Sequence, residues 1–298
     1  MGIMKYISSL CLLVLIISCN TDEDIVASPD QVISSSPTVF FSGTYTLFHQ
    51  GQDRIYHYYH PIGLPENAPL VFVLHGYDAD AANFMDWLSM EEIADEQGFA
   101  VVYPQGSDDD TRRPHWNADL TISSVDDVGF LRKLALELQE TYNLNPDKTF
   151  VSGFSNGGFM SYELIIKEPE VFKAAASIAG TMSGATWESR STASPVPLLQ
   201  LSGGLDRIVP VNGVNTRVGG WDGAPAISSI VKFWADVNQA DVQEETTQDR
   251  TIINKYINTE TGNEVWYYLL QDLGHNIPMG DPYNVDTPSL ILEFFSRY

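Results

Sequence analysis

Short apolar runs recur along this chain and alternate with segments of helical periodicity. The runs PLVFVLH at residues 69–75, FAVVYP at 99–104 and TFV at 149–151 contain almost no polar interruption, and those at 172–178 and 197–202 contain few. This is the pattern of strands covered on both faces. Helices are expected between them at 82–97, at 126–142, after Ser155, at 224–237 and at 288–298. In residues 126–142, Phe130, Leu134, Leu138 and Tyr142 recur at every fourth position behind the acidic pair Asp126-Asp127, as in a helix that buries one stripe. The start of the domain reads differently. Residues 39–50 and 54–60 are rich in β-branched and aromatic side chains and are separated by Gly51-Gln52-Asp53, which predicts an antiparallel hairpin. Residues 250–258 and 264–270 predict a second strand pair. The long loop at 105–124 carries Asp108-Asp109-Asp110, read as a solvated turn because no calcium-loop spacing follows. The sum is an α/β chain: a mostly parallel sheet flanked by helices, opened by an N-terminal antiparallel hairpin, in one domain over residues 38–298.

The first residues do not fit that domain. Lys5 precedes a short apolar run that ends at Ser18-Cys19, a pattern of a secretory signal and too short for a membrane span. Ile16-Ile17-Ser18-Cys19 resembles a bacterial lipobox. That resemblance implies a signal peptide over residues 1–18, with Cys19 as the lipidated first residue. Only Cys11 and Cys19 are present, so loss of the leader removes one thiol and lipidation caps the other. Residues 19–37 are polar and acidic, as in a flexible tether. An acidic run after a lipidated cysteine resembles the surface-export signal of some Bacteroidetes lipoproteins. The expected location is therefore a bacterial outer membrane or cell surface. The formal charge is −23, and Lys5 is the leader's only charged residue, so the mature chain carries −24. Such a surface repels nucleic acid and anionic head groups, which leaves the lipid as the membrane contact.

Candidate chemistry centres on TFVSGFSNGGFM, residues 149–160. Gly153-Phe154-Ser155-Asn156-Gly157 matches G-x-S-x-G, with a strand pattern before it and a helical pattern after it. A serine at such a turn projects its hydroxyl into open space, and the crowded backbone requires glycine on either side. A serine nucleophile needs a base and an orienting acid, in the chain order Ser, acid, His on this kind of sheet. Of six histidines only His275 follows Ser155. Asp206, after the run at 197–202, is the expected acid. Asp222 and Asp272 are its rivals. The expected oxyanion donors are the backbone N–H groups of Asn156 and of Tyr77, in the turn His75-Gly76-Tyr77. His75 itself reads as structural. This chemistry calls for no metal and no organic cofactor.

These motifs, with Trp116-Asn117, Asp126-Asp127-Val128-Gly129-Phe130-Leu131, Val209-Pro210, Gly220-Trp221 and Gly274-His275, resemble the polyhydroxybutyrate depolymerase and feruloyl esterase family of carbohydrate esterases. The resemblance runs from about Tyr45 to the C-terminus. It implies the α/β-hydrolase fold and secreted carboxylic-ester hydrolysis, with Ser155, Asp206 and His275 as the triad and Trp116 and Trp221 as substrate-binding residues. Two departures stand out. Family cysteines are absent near Trp116-Asn117 and after the Phe233-Trp234 helix. The usual Gly-His-x-Trp-Pro ending is Gly274-His275-Asn276-Ile277-Pro278, which lacks the tryptophan beside the base. The expected substrate is a feruloyl or acetyl ester on plant polysaccharide, with a polyhydroxyalkanoate as the alternative. A serine peptidase of the same fold and a non-catalytic polymer-binding module are the rivals outside esterases.

Overall fold

The structure, a computed structural model, describes residues 42–215 and 220–298. The leader, Cys19 and the tether lie outside the described residues. Ten strands form one sheet: β1 Gly43–His49, β2 Gln52–Tyr59, β3 Leu70–Leu74, β4 Ala100–Pro104, β5 Thr149–Phe154, β6 Ala174–Ile178, β7 Leu198–Gly203, β8 Val242–Gln248, β9 Thr251–Ile257 and β10 Glu264–Leu270. Their spatial order is β1-β2-β4-β3-β5-β6-β7-β10-β9-β8. The six central strands, from β4 to β10, run parallel, while β1-β2 and β9-β8 add antiparallel pairs at the two edges. The fold is an α/β-hydrolase fold with the expected hairpin at its start.

Among the described residues there are seven α-helices: α1 Ala81–Leu88, α2 Glu91–Gln97, α3 Asp127–Tyr142, α4 Asn156–Lys167, α5 Gly184–Ser189, α6 Ile227–Val237 and α7 Thr287–Phe295. Alternate residues of each central strand face opposite layers. Leu70, Phe72 and Leu74 pack with α3, α4 and α6, whereas Val71 and Val73 pack with α1, α2 and α7. Both faces are therefore dry, which is why these strands read as unbroken apolar runs.

Several expectations need correction. The single helix expected at 82–97 is two helices. Ser89 caps α1 in the left-handed region at φ 48°, its N–H on the Met85 carbonyl. An unbroken helix would carry the stripe Ala81, Phe84, Leu88 on to Glu92 and Asp95. The break moves it to Met90 and Ala94, both fully buried. The first hairpin turns at Gln50-Gly51, both with positive φ, one residue earlier than read. Strand β8, VQEETTQ, was not expected. Every side chain in it is exposed, so an outermost strand leaves no apolar alternation to read. The aspartate run is not simply solvated. Asp109 is buried and accepts from the Thr111 and Arg113 amides, the Thr111 hydroxyl and the Tyr77 phenol. These bonds hold its carboxyl well below the usual range.

A buried ion pair ties the first hairpin to α3. Arg54 of β2 donates from Nη2 to Asp127 Oδ1 at 2.6 Å, and its guanidinium lies 4.0 Å from the centre of the Phe130 ring. Neither side chain reaches solvent appreciably. Removing one partner strands a charge in a dry site. Arg54→Leu should cost about 3–5 kcal/mol in urea denaturation. A loss below about 1 kcal/mol would show that the pair behaves as an exposed one.

Candidate active site

The turn between β5 and α4 carries Ser155 at φ 53°, ψ −117°. Its N–H donates to the Ile178 carbonyl at the end of β6, at 2.8 Å. The flanking glycines are sterically required. A Cβ on Gly153 would stand 2.2 Å from the Gly157 backbone, and one on Gly157 would stand 2.3 Å from the Leu74 carbonyl oxygen. Neither distance is tolerable, so the turn closes only with glycine at both positions.

Two loops bring partners to the hydroxyl. Asp206 follows β7 and is buried. Its Oδ1 accepts from the Ile208 and Val209 amides, each at 2.8 Å. Its Oδ2 meets His275 Nδ1 at 2.7 Å, and His275 Nε2 meets Ser155 Oγ at 2.9 Å. An ionised carboxylate only accepts, so Nδ1 is assigned the proton and Nε2 is left to accept the Ser155 O–H. The imidazole also lies against the Phe154 ring, with centroids 5.1 Å apart. Asp272 is engaged elsewhere, by Arg250 at 2.5 Å. The structure thus brings together three side chains far apart in sequence. The arrangement can take a proton from a serine hydroxyl and return it to a leaving group.

Asn156 is the first residue of α4, so its N–H is among those that have no acceptor within the helix. Its side chain is clamped by Trp116, whose N–H donates to Oδ1 at 2.7 Å and whose carbonyl accepts from Nδ2 at 2.9 Å. Tyr77 lies in the turn after β3. Tyr77, Asn156 and Ser155 share one cavity of about 260 Å³, otherwise lined by Leu120, Ile122, Phe159, Ile208 and Trp221. A larger cavity of about 520 Å³ between β8, β9 and α7 includes none of the residues discussed above as acid, base or nucleophile.

The two tryptophans separate. Trp221 stands on the cavity wall, edge-on to Phe159. Its loop is held by hydrogen bonds from the Gly184 N–H to the Trp221 carbonyl and from the Thr121 N–H to the Gly220 carbonyl. Trp116 is no wall residue. It is fully buried beneath the cavity, and its Nε1–H donates to the His75 carbonyl at 3.0 Å. Its neighbour Asn117 explains why: the Asn117 N–H donates to Asp127 Oδ2 at 2.8 Å, which draws the segment into the core. Leu120, Ile122, Phe159 and Ile208 were missed as wall residues. As ordinary apolar residues they carry no signal in one sequence. Phe154, the variable position of G-x-S-x-G, was missed as the surface against His275.

The sequence profile of the family described as "Esterase PHB depolymerase" matches residues 55–264, most of the chain, and the chain belongs to this family. It is 30% identical over 154 residues to a bifunctional acetylxylan esterase/xylanase of Neocallimastix patriciarum, covering 51% of this chain and 21% of that protein. It is also 30% identical over 124 residues to poly(3-hydroxyalkanoate) depolymerase C of Paucimonas lemoignei, covering 40% and 30% respectively. The chain thus spans less than a third of the length of either relative. The structure of an acetyl xylan esterase from Aspergillus awamori superposes with a TM-score of 0.63 at 15% identity, covering 86% of this chain and all of that one. That likeness shows the fold.

His75 gives the site a pH dependence. Desolvation by burial holds its imidazole down at about 4, against about 6.5 when unfolded. Between those values the unfolded chain binds a proton that the folded chain refuses. The stabilisation is complete above about pH 6.5 and is lost as pH falls towards 4, on the order of 3 kcal/mol in all. Urea denaturation at pH 7 and pH 4.5 should show a larger acid loss for wild type than for His75→Asn. Equal losses would show that another group governs this window.

Proposed function

We propose that the protein is a serine esterase that hydrolyses carboxylic esters through Ser155, His275 and Asp206. The observation that carries this reading is the hydrogen-bonded line from Asp206 through His275 to Ser155 at the mouth of an apolar cavity. Ser155 Oγ attacks the ester carbonyl carbon while its proton passes to His275 Nε2. Asp206 holds the ring and balances the imidazolium. The oxyanion faces the N–H groups of Tyr77 and Asn156, whose donation is strongest where negative charge develops. Collapse of the tetrahedral intermediate expels the alkoxide, which takes the proton from Nε2 and leaves an acyl-enzyme. Water then repeats both steps and releases the acid.

The acyl group is the part of the substrate that the cavity receives. Walls of Leu120, Ile122, Phe159, Ile208 and Trp221 favour an apolar or aromatic acyl group, and the sugar stays outside. A feruloyl or acetyl ester of plant polysaccharide is the preferred substrate. A polyhydroxyalkanoate is the second reading, favoured by the exposed Leu205 and Ile208 on either side of Asp206. We further propose export and lipid anchoring at Cys19, on the strength of Lys5, the apolar run and Ile16-Ile17-Ser18-Cys19. Metabolic labelling with a fatty acid should mark wild type and not Cys19→Ala. Equal labelling of both would sink the anchor.

Initial rates on methyl ferulate, acetylated xylan and a hydroxybutyrate oligomer test the main reading. Ser155→Ala should lose on the order of 10⁴-fold or more in kcat on whichever ester is turned over. Equal turnover by both proteins would end the serine mechanism. Trp221→Ala should lower kcat/KM for the feruloyl ester by about 10-fold or more and change the acetyl ester far less, because only a large acyl group reaches that wall. A uniform loss on both esters would place the acyl group elsewhere.

A further inference from the structure

His75 is a buried imidazole that the mechanism above does not use. Each of its polar side-chain atoms has a partner. Nδ1 lies 2.7 Å from the Gly76 carbonyl oxygen and must donate to it, because a carbonyl only accepts. Nε2 is left unprotonated and accepts from the Gly106 N–H at 2.9 Å, with the Gln105 amide at 3.2 Å. The His75 carbonyl is held in turn by Trp116 Nε1. The loop that supplies these donors is gripped at both ends by the buried ion pair. Arg54 donates to the Gln105 carbonyl, and Asp127 accepts from the Asn117 N–H.

The bond to Gly76 has a consequence one atom further along. The Gly76 carbonyl and the Tyr77 N–H belong to one peptide unit. Among the described residues the only cis bond is Asp281-Pro282, so the Gly76-Tyr77 unit is trans. In a planar trans peptide the C=O and N–H point in opposite directions. Turning the carbonyl towards the imidazole therefore turns the Tyr77 N–H away from it. Two observations place this unit by the cavity that Ser155 lines. A Cβ on Gly76 would stand 3.2 Å from the Phe154 ring, the ring that packs on His275. Tyr77 also lines the same cavity as Ser155 and Asn156.

We infer that His75 is a positioning residue whose Nδ1–H pins the Gly76 carbonyl and so aims the Tyr77 N–H at the oxyanion formed on Ser155. This rests on the serine-esterase reading. Any buried histidine must pair both ring nitrogens; this one spends its Nδ1 proton on the peptide that carries the donor. The Gly106 N–H on Nε2 selects the tautomer, and burial keeps the ring neutral. The device places an oxyanion donor by the rotation of one peptide plane, with the loop at 105–117 as its anchor.

Two substitutions separate positioning from filling. His75→Asn can place an amide N–H where Nδ1 stands. The amide of His75→Gln reaches the Nε2 position and leaves the Gly76 carbonyl free. Rates on p-nitrophenyl acetate give kcat and KM, inhibition by an arylboronic acid reports binding of a tetrahedral adduct on serine, and thermal unfolding reports the fold. His75→Gln should lose about 10²-fold in kcat, with KM changed by less than about threefold, and should bind the boronic acid weaker by about the same 10². His75→Asn should stay within about tenfold of wild type in both. The inference fails if His75→Gln keeps its kcat, if a folded His75→Asn falls as far as His75→Gln, or if boronate binding does not follow kcat. If His75→Gln does not fold, His75→Asn decides alone: near-wild-type kcat and boronate binding support the inference, and a 10²-fold loss in a folded protein overturns it. Ser155→Ala is the control. Undiminished turnover there would remove the serine mechanism itself. Loss there beside an unaffected His75→Gln would remove only the role of His75.

Discussion

The turn at Ser155 is the constraint on which the mouth of this sheet depends. A non-glycine residue at φ 53°, ψ −117° is strained, at a cost of order 1–3 kcal/mol. It persists because its surroundings leave no alternative. The Ile178 carbonyl holds the Ser155 N–H, and the glycines at 153 and 157 let Leu74 and the start of α4 close on the turn from both sides. The strain projects Oγ above the end of the parallel strands. The loops after β7 and β10 end there as well, and they deliver Asp206 and His275.

The loops around that turn bury apolar residues such as Trp116, Leu120, Val209 and Leu273, and polar groups fix how they sit. One chain of hydrogen bonds runs from Arg54 and Asp127, through Asn117 and Trp116, to Asn156 and His75. It links the first hairpin and α3 to both expected oxyanion donors. A second set holds the Trp221 wall. Glu163, buried in α4, accepts from the Thr186 hydroxyl at 2.7 Å, and the Ser183 hydroxyl donates to the Ala118 carbonyl at 3.1 Å. Burial pushes the Glu163 carboxyl up. Such groups are costly to bury and more costly to leave half-paired. They fix geometry at the rim of a site whose walls are otherwise soft.

Much of this was legible in the sequence, for physical reasons. Central strands covered on both faces must be apolar throughout, so Leu70–Leu74 and Ala100–Pro104 announced themselves. The glycines around Ser155 were legible because only glycine fits there. His275 was legible because the fold's chain order left one histidine to choose. What was not legible lacks a local signature. Strand β8 is an edge strand whose neighbour in the sheet is β9. The break at Ser89 answers to the registry of two apolar stripes on one sheet. Trp116 was expected as a substrate-binding residue, because nothing nearby in sequence shows that Asp127 draws its neighbour inward. The cavity wall joins residues 120 and 122 to residues 208 and 221, a juxtaposition created by the fold alone.

The most direct measurement of the central claim is the site of covalent capture. A fluorophosphonate reacts with a serine only where a base activates it and donors receive the developing charge. Incubation of the full protein with such a reagent, followed by intact-mass and peptide mass spectrometry, should show one adduct per chain, on Ser155, with ester hydrolysis lost in proportion to labelling. An unlabelled Ser155 in a protein that still turns over esters, or full labelling with activity intact, would contradict the role of Ser155 as nucleophile.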